Sequence, residues 1–329
     1  MTTEQGITLV EAINQALAYE MRQDPDVIVF GEDVGVNGGV FRATQNLQKE
    51  FGAERVLDTP LAESMLAGLT VGMCSQGLKP VVEFQFMGFS YPALDQIINH
   101  VTRMRNRTRG RFTCPVVFRT PYGVGIHSPE HHSESTEAIY AHIPGIRVVI
   151  PASPARAYGL LLAAMRNPDP VIFLEPARLY RKIKQIVPDN GEALPLDTCF
   201  MLKEGQDVTL VTWGAMTVET LAAAEKLAQQ NITCDVIDLA TISPIDIETI
   251  LTSVEKTGRL VVVHEAARSC GVGAEIAAQI AEYAFTSLRA PIQRVTGYDT
   301  IIPLYRLEEH YWPSVERIVD AVNITLAYA

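Results

Sequence analysis

The sequence predicts an α/β protein of two doubly wound domains, and three observations carry that prediction. Short strands, apolar throughout, alternate with helical stretches; the rhythm breaks once, between residues 182 and 206; it then resumes. Strands that are apolar on both faces belong to parallel sheets covered by helices on each side. With 329 residues, 47% of them apolar and 20% charged, the chain is long enough for two such domains, each with its own core.

The elements follow in order. Thr8-Leu-Val-Glu11 has the form of a capping box, and Leu9, Ile13, Ala16 and Leu17 then share one helical face. After Asp24-Pro25 a strand is expected at 27–30, ending at Gly31. Further strands are expected near 55–58, 80–84, 115–119, 147–150 and 171–174, with helices near 64–75, 91–105 and 154–166. Pro188, Asn190-Gly191 and Pro195 mark the break as a linker. The domains are therefore expected at 1–185 and 207–329, joined by 186–206. The second holds strands near 208–212, 234–239, 260–263 and 291–295, with helices near 218–229, 247–254, 273–284 and 314–326.

Composition narrows the function. A formal charge of −11 argues against nucleic acid or an anionic membrane as the main partner. No run approaches the roughly 18 apolar residues that a membrane span needs. Met1-Thr-Thr-Glu-Gln-Gly6 has no basic stretch followed by an apolar one, so no signal peptide is expected. Cys74, Cys114, Cys199, Cys234 and Cys270 are odd in number, scattered and without a CxxC pair. Reduced thiols and no structural zinc follow. The expectation is a soluble cytoplasmic protein, or one in an organelle matrix or stroma if already processed.

The most informative segment is Asp58-Thr-Pro-Leu-Ala-Glu63-Ser-Met-Leu-Ala-Gly68-Leu-Thr-Val-Gly72, which runs from a strand end through Pro60 into a helix. In open α/β sheets, ligands bind in the crevice beyond such strand ends. Taken alone, Glu63 only complements the helix dipole, worth about 0.3–1 kcal/mol. Gly68 and Gly72, four apart, read as positions where another helix approaches closely.

This Glu-x4-Gly-x3-Gly element after Asp-Thr-Pro resembles that of the beta subunits of thiamine-diphosphate-dependent 2-oxoacid dehydrogenases, the pyruvate and branched-chain enzymes. Phe30-Gly-Glu-Asp-Val34, Asn37-Gly-Gly-Val-Phe-Arg42, Glu83-Phe-Gln-Phe86, Asp95-Gln-Ile-Ile-Asn99 and His142-Ile-Pro-Gly145 match the same family. So do Asp238-Leu239, Ser243-Pro-Ile-Asp246 and Gly271-Val-Gly273, so the likeness spans essentially the whole chain. It implies a thiamine pyrimidine-binding domain with a parallel sheet, then a transketolase C-terminal-like domain. Glu63 is implied as the carboxyl that meets N1′ of the aminopyrimidine; one held in apolar surroundings has a raised pKa and can share a proton with a weakly basic ring nitrogen. The resemblance also implies that Phe89 packs on the aminopyrimidine and that Gln85 lies near its edge.

Gly123-Val-Gly-Ile-His127-Ser-Pro-Glu-His131-His132-Ser-Glu134 follows a strand and is glycine-rich, so a loop is expected. His127-Ser-Pro-Glu-His131 spells a zinc-peptidase pattern that requires a helix, and Pro129 disfavours one. The resemblance instead implies His132 as the loop histidine that handles protons of substrate and intermediates, with His127 as a second one. Histidine suits this because it titrates near neutral pH. His131 and Glu134 read as solvated loop residues.

Val116, Ala164, Met165, Asn167 and Asp169 match positions where family members hold a structural potassium ion, K+, through carbonyls and side chains at a helix C-terminus. Alternatively, Asn167-Pro168 is a polar turn. The superfamily's Gly-Asp-Gly diphosphate and magnesium (Mg2+) motif is absent, as is a Walker loop. Thiamine diphosphate and Mg2+ would then be completed by an alpha subunit in an α2β2 heterotetramer. A dihydrolipoamide acyltransferase component is the further partner implied. Gly271-Val-Gly273 lacks the third glycine of a dinucleotide fingerprint, so NAD is not inferred. Arg103, Arg105, Arg107, Arg109 and Arg111 form a basic run that reads as a solvated face or a contact with an acidic subunit.

The expected reaction is oxidative decarboxylation of a 2-oxoacid, pyruvate first, with reductive acylation of a lipoyl group. A branched-chain 2-oxoacid or acetoin enzyme is the alternative within the class, and a non-catalytic scaffold the alternative outside it. A transketolase would carry its own diphosphate motif.

Overall fold

The computed structural model describes residues 6–328. The chain divides into two compact units, one running through Tyr122 together with Ile139–Leu196, the other made of Gly123–Ala138 and the chain from Asp197 onward.

The first unit contains α1 (Leu9–Gln23), β1 (Val27–Gly31), β2 (Val56–Asp58), α2 (Glu63–Ser75), β3 (Lys79–Glu83), β4 (Val117–Tyr122), β5 (Arg147–Val149), α3 (Pro154–Arg166) and β6 (Val171–Pro176). These strands lie side by side in the order β5-β6-β4-β3-β1-β2, all parallel. Burial on both faces accompanies this arrangement: β1, β4 and β6 are buried along their whole length. The capping box that opens α1 forms in full, Thr8 N–H donating to the Glu11 carboxylate at 2.7 Å and Glu11 N–H to the Thr8 hydroxyl at 3.4 Å. At α3 the Ser153 hydroxyl accepts the Arg156 N–H at 3.4 Å, a simple N-cap, with Pro154 in the first turn. A short antiparallel pair joins Ile7–Thr8 to Lys184–Gln185.

One helix departs from expectation. The stretch 91–105 is not continuous but a 3-10 turn (Met87–Ala93), a short α turn (Leu94–Gln96), a π turn (Ile97–Val101) and a last α turn (Met104–Arg107). Pro92 lies within the first and cannot donate, and the π turn absorbs one extra residue. This broken segment packs on α2: a Cβ on Gly68 would stand 3.3 Å from the Gln96 side-chain oxygen. Gly72 meets nothing within 4 Å, so the close approach expected there has no partner among the described residues.

The stretch read as a linker is engaged at both ends. Gly191 N–H donates to the Tyr158 hydroxyl and its carbonyl accepts from Arg166, both at 2.9 Å, while Leu194 sits over Gly159. Phe200–Lys203 is a strand of the second sheet.

The second unit contains β7 (Phe200–Lys203), β8 (Val208–Thr212), α4 (Met216–Ala228), β9 (Cys234–Asp238), α5 (Ile247–Thr257), β10 (Leu260–Ala267), α6 (Val272–Tyr283), β11 (Gln293–Gly297) and α7 (Val315–Leu326). Its strand order is β11-β10-β8-β9-β7, parallel except for the antiparallel edge strand β7. Val208, Leu210, Val236, Val261 and Val263 from the sheet form one core with Met216, Leu227, Ile318 and Val322. Among the described residues no helix is long and apolar enough to cross a membrane.

Candidate active-site elements

In the first unit the site residues gather at the carboxyl ends of β1, β2 and β3. After Asp58 the chain passes Pro60 and enters α2 at Glu63; the N-cap, Ala62, has no side-chain oxygen to offer. Glu63 therefore stands at an uncapped helix N-terminus, where backbone N–H groups favour an anionic oxygen. It is half-buried, yet its carboxylate has no hydrogen bond or ion pair among the described residues. Glu32, after β1, feels it: burial first, then the charges of Asp33 and Glu63, raise the Glu32 carboxyl above its ordinary range.

Gln85 and Phe89 lie just beyond β3. Ser64 donates to the Pro92 carbonyl at 2.6 Å, which ties the start of α2 to the turn carrying Phe89. Phe89 meets Phe86 edge-on at 5.6 Å, and Phe86 meets Phe41 edge-on at 5.6 Å, so Phe89 belongs to an aromatic row and is half-buried. Gln85 is half-buried as well, and its amide has no hydrogen-bond partner among the described residues. The Glu63 carboxylate and Gln85 amide, without partners among the described residues, and the Phe89 ring are groups that suit the edge and face of an aminopyrimidine.

Beneath them is a buried ionic cluster that sequence reasoning missed. Arg119 of β4, only 1% exposed, donates to Glu83 of β3 at 2.8 Å and pairs with Glu175 of β6 at 2.7 Å. Tyr180 donates to Glu175 at 2.6 Å. Burial would lower the Arg119 pKa, but Glu175 and Glu83 more than offset this and hold it above its ordinary value. Burial also raises the Glu83 carboxyl, and Arg119 opposes this without reversing it. The missed signal was one buried charge in each of three largely apolar strands, Glu83, Arg119 and Glu175; buried charges need one another.

His127 and His132 fall in the second unit, on the loop 123–138. Residues Glu130–His132 form a 3-10 turn, not the α-helix that the zinc-peptidase pattern requires. The His131 and His132 rings stand 6.5 Å apart, nearly perpendicular. His127 Nδ1 lies 2.8 Å from the Glu308 carboxylate, and its ring is 4.5 Å from that of Tyr305. No local pattern marked Glu308, which is 181 residues away in sequence.

The residues expected at a cation site adjoin one another at the C-terminus of α3. The Ala164 carbonyl accepts from Asn167 N–H at 3.2 Å, the Asn167 side chain accepts from Asp169 N–H at 2.9 Å, and the Val116 carbonyl accepts from Val171 N–H at 2.9 Å. Met165 is buried in the last turn of the same helix. Each of those three oxygens retains a second lone pair, which fits a hard cation. One oxygen of Asp169, however, already holds Arg105 Nε at 2.6 Å.

Comparison with known proteins agrees with this architecture. Residues 5–182 match the transketolase pyrimidine binding domain, and residues 198–318 the transketolase C-terminal domain. The pyruvate dehydrogenase E1 component subunit beta of Staphylococcus epidermidis is 48% identical over 322 residues, covering 98% of this chain and 99% of that one. The Bacillus subtilis subunit of the same name is 47% identical with the same coverage. In fold, the chain is similar to a solved split-gene transketolase, described as an inactive beta4 tetramer, with a TM-score of 0.81 at 24% identity over 98% of this chain and 99% of that one. A carboxylate beyond a parallel sheet with no partner among the described residues, a glycine-rich histidine loop and full-length likeness to these subunits lead to one assignment: the chain belongs to the family of pyruvate dehydrogenase E1 component beta subunits.

Proposed function

We propose that this chain is the beta subunit of a thiamine-dependent pyruvate dehydrogenase E1 component, in which Glu63 controls the proton at N1′ of the cofactor's aminopyrimidine. The observation that carries the reading is the half-buried Glu63 carboxylate at an uncapped helix N-terminus, with no partner of its own among the described residues. Thiamine diphosphate, when bound, supplies the carbanion chemistry of 2-oxoacid decarboxylation. Phe89 offers a ring face for the aminopyrimidine, worth roughly 0.5–1.5 kcal/mol beyond area burial, and Gln85 an amide for its edge. His132 and His127 take and return protons of the substrate and of reaction intermediates and assist transfer of the acyl group to lipoyl acceptors.

The diphosphate and Mg2+ sites are assigned to an alpha subunit in an α2β2 assembly, because this chain contains no Gly-Asp-Gly motif. A dihydrolipoamide acyltransferase component then receives the acyl group. The oxygens of Val116, Ala164, Met165, Asn167 and Asp169 would hold K+ as a structural ion.

The test mixes the chain with its alpha subunit, thiamine diphosphate and Mg2+, and follows dye reduction driven by pyruvate or by 3-methyl-2-oxobutanoate. Turnover of pyruvate in the mixture, and by neither chain alone, is expected. Preference for the branched acid would keep the mechanism and change the substrate; pockets discriminate by only about 1–3 kcal/mol per methylene. No turnover in a stably assembled complex would overturn the enzymatic reading.

A further inference from the structure

We infer that Glu308, supported by Glu265, is a positioning residue that clamps the histidine loop and fixes which nitrogen of His127 faces the substrate. The inference rests on the reading above, in which His127 acts on protons of the reaction.

Both oxygens of Glu308 are spent on one short stretch of loop. Oε1 accepts the Gly125 backbone N–H at 2.6 Å, and Oε2 lies 2.8 Å from His127 Nδ1. Glu308 is 1% exposed, and a buried carboxylate is tolerated only when its oxygens are satisfied. Glu265, 2% exposed, repeats the device one residue earlier: its Oε2 accepts the Val124 N–H at 3.2 Å. A side chain on Gly123 would collide with Glu265, since a Cβ there would lie 2.7 Å from Oε1. Three consecutive loop residues, Gly123, Val124 and Gly125, are thus fitted to two buried carboxylates of the same unit.

The loop requires such support. His127 itself has a left-handed backbone, φ 59, which a non-glycine residue keeps only when surrounding contacts enforce it. Tyr305, in the same short helix as Glu308 (Tyr305–Glu308), lies over the imidazole at 4.5 Å and limits ring rotation. Glu308 accepts the Gly125 N–H through Oε1 and offers Oε2 to the ring, so Nδ1 carries its hydrogen toward Glu308. Nε2 is then the nitrogen left to exchange a proton with the substrate. The His127 side chain is 46% exposed, so that nitrogen is reachable while the opposite edge is held.

The experiment compares Glu308→Gln, Glu308→Asp, His127→Asn and the Glu308→Gln/His127→Asn pair in the assembled alpha–beta complex. It reads kcat and KM for pyruvate together with amide hydrogen exchange over residues 123–127. His127→Asn is expected to lower kcat about 10²–10⁴-fold, as for a lost proton-transfer group. Glu308→Gln is expected to lower kcat about 10–100-fold, as for a partner that orients an active-site histidine, with KM little changed. It should also speed exchange at Val124–His127, which His127→Asn should not do. The double variant should be no slower than His127→Asn, and Glu308→Asp, which keeps the charge, should recover part of the loss. Wild-type exchange and turnover in Glu308→Gln beside an impaired His127→Asn would overturn the positioning role alone. Wild-type turnover in His127→Asn would overturn the reading of His127, and the positioning role with it.

Discussion

Trp213 donates its indole N–H to the Glu137 carboxyl at 3.1 Å, with both side chains buried in the second unit. His264 stacks on the same indole at 5.0 Å, nearly parallel. Burial raises the Glu137 carboxyl from 4.5 to about 8. Burial, then the charge of Arg294, lowers His264 from 6.5 to about 3.

These shifts have opposite linkage signs. The folded state binds more protons than the unfolded one at Glu137 between pH 4.5 and about 8, so stability falls as pH rises there. At His264 the unfolded state binds more between about 3 and 6.5, so stability rises with pH. The two cancel between 4.5 and 6.5 and leave a falling limb from 6.5 to about 8. Its slope is of order 1.4 kcal/mol per pH unit. Both tryptophans, Trp213 and Trp312, belong to the second unit, so their fluorescence during urea unfolding reports on it. Glu137→Gln should flatten the limb above pH 6.5; an unchanged slope there would refute the assignment.

Replacing Glu63 with Gln keeps the size and removes the exchangeable proton. Turnover of the assembled complex should fall at least about 10²–10⁴-fold. The midpoint of unfolding should hardly move, because Glu63 makes no hydrogen bond or ion pair among the described residues. Near-normal turnover would end the case for Glu63.

Arg119→Met leaves Glu83 and Glu175 buried together without their cation. Removing one partner of such a cluster costs about 3–5 kcal/mol. Urea denaturation should show this loss, and adding Glu83→Gln should recover part of it. If the double variant is no more stable than Arg119→Met, unpaired charge is not the cause.

Potassium should stabilise the chain relative to a bulky organic cation at equal ionic strength. A single-site ion at ten times its dissociation constant adds about 1.4 kcal/mol. Asp169→Ala should abolish the difference in thermal midpoint. Arg105→Ala should enlarge it, because Arg105 occupies one Asp169 oxygen at 2.6 Å. An identical midpoint in both salts would remove the ion from the account.

Much of this protein was determined by local sequence. The capping box of α1, the fully apolar strands and the Pro60–Glu63 helix entry depend on neighbours three or four residues apart, and each formed as its pattern predicts. So did the loop character of the histidine segment, where Pro129 denies the helix that a zinc site would need. The broken helix around Pro92 and the edge strand Phe200–Lys203 were not legible, since one depends on a π turn and the other on pairing with Cys234–Asp238. Tertiary structure alone decided the partners of the buried charges. Arg119 meets carboxylates 36 and 56 residues away, and Glu308 meets a histidine at a separation of 181. Hydrophobic periodicity is written along the chain, whereas a buried charge is satisfied by whichever group the completed fold brings within about 3 Å.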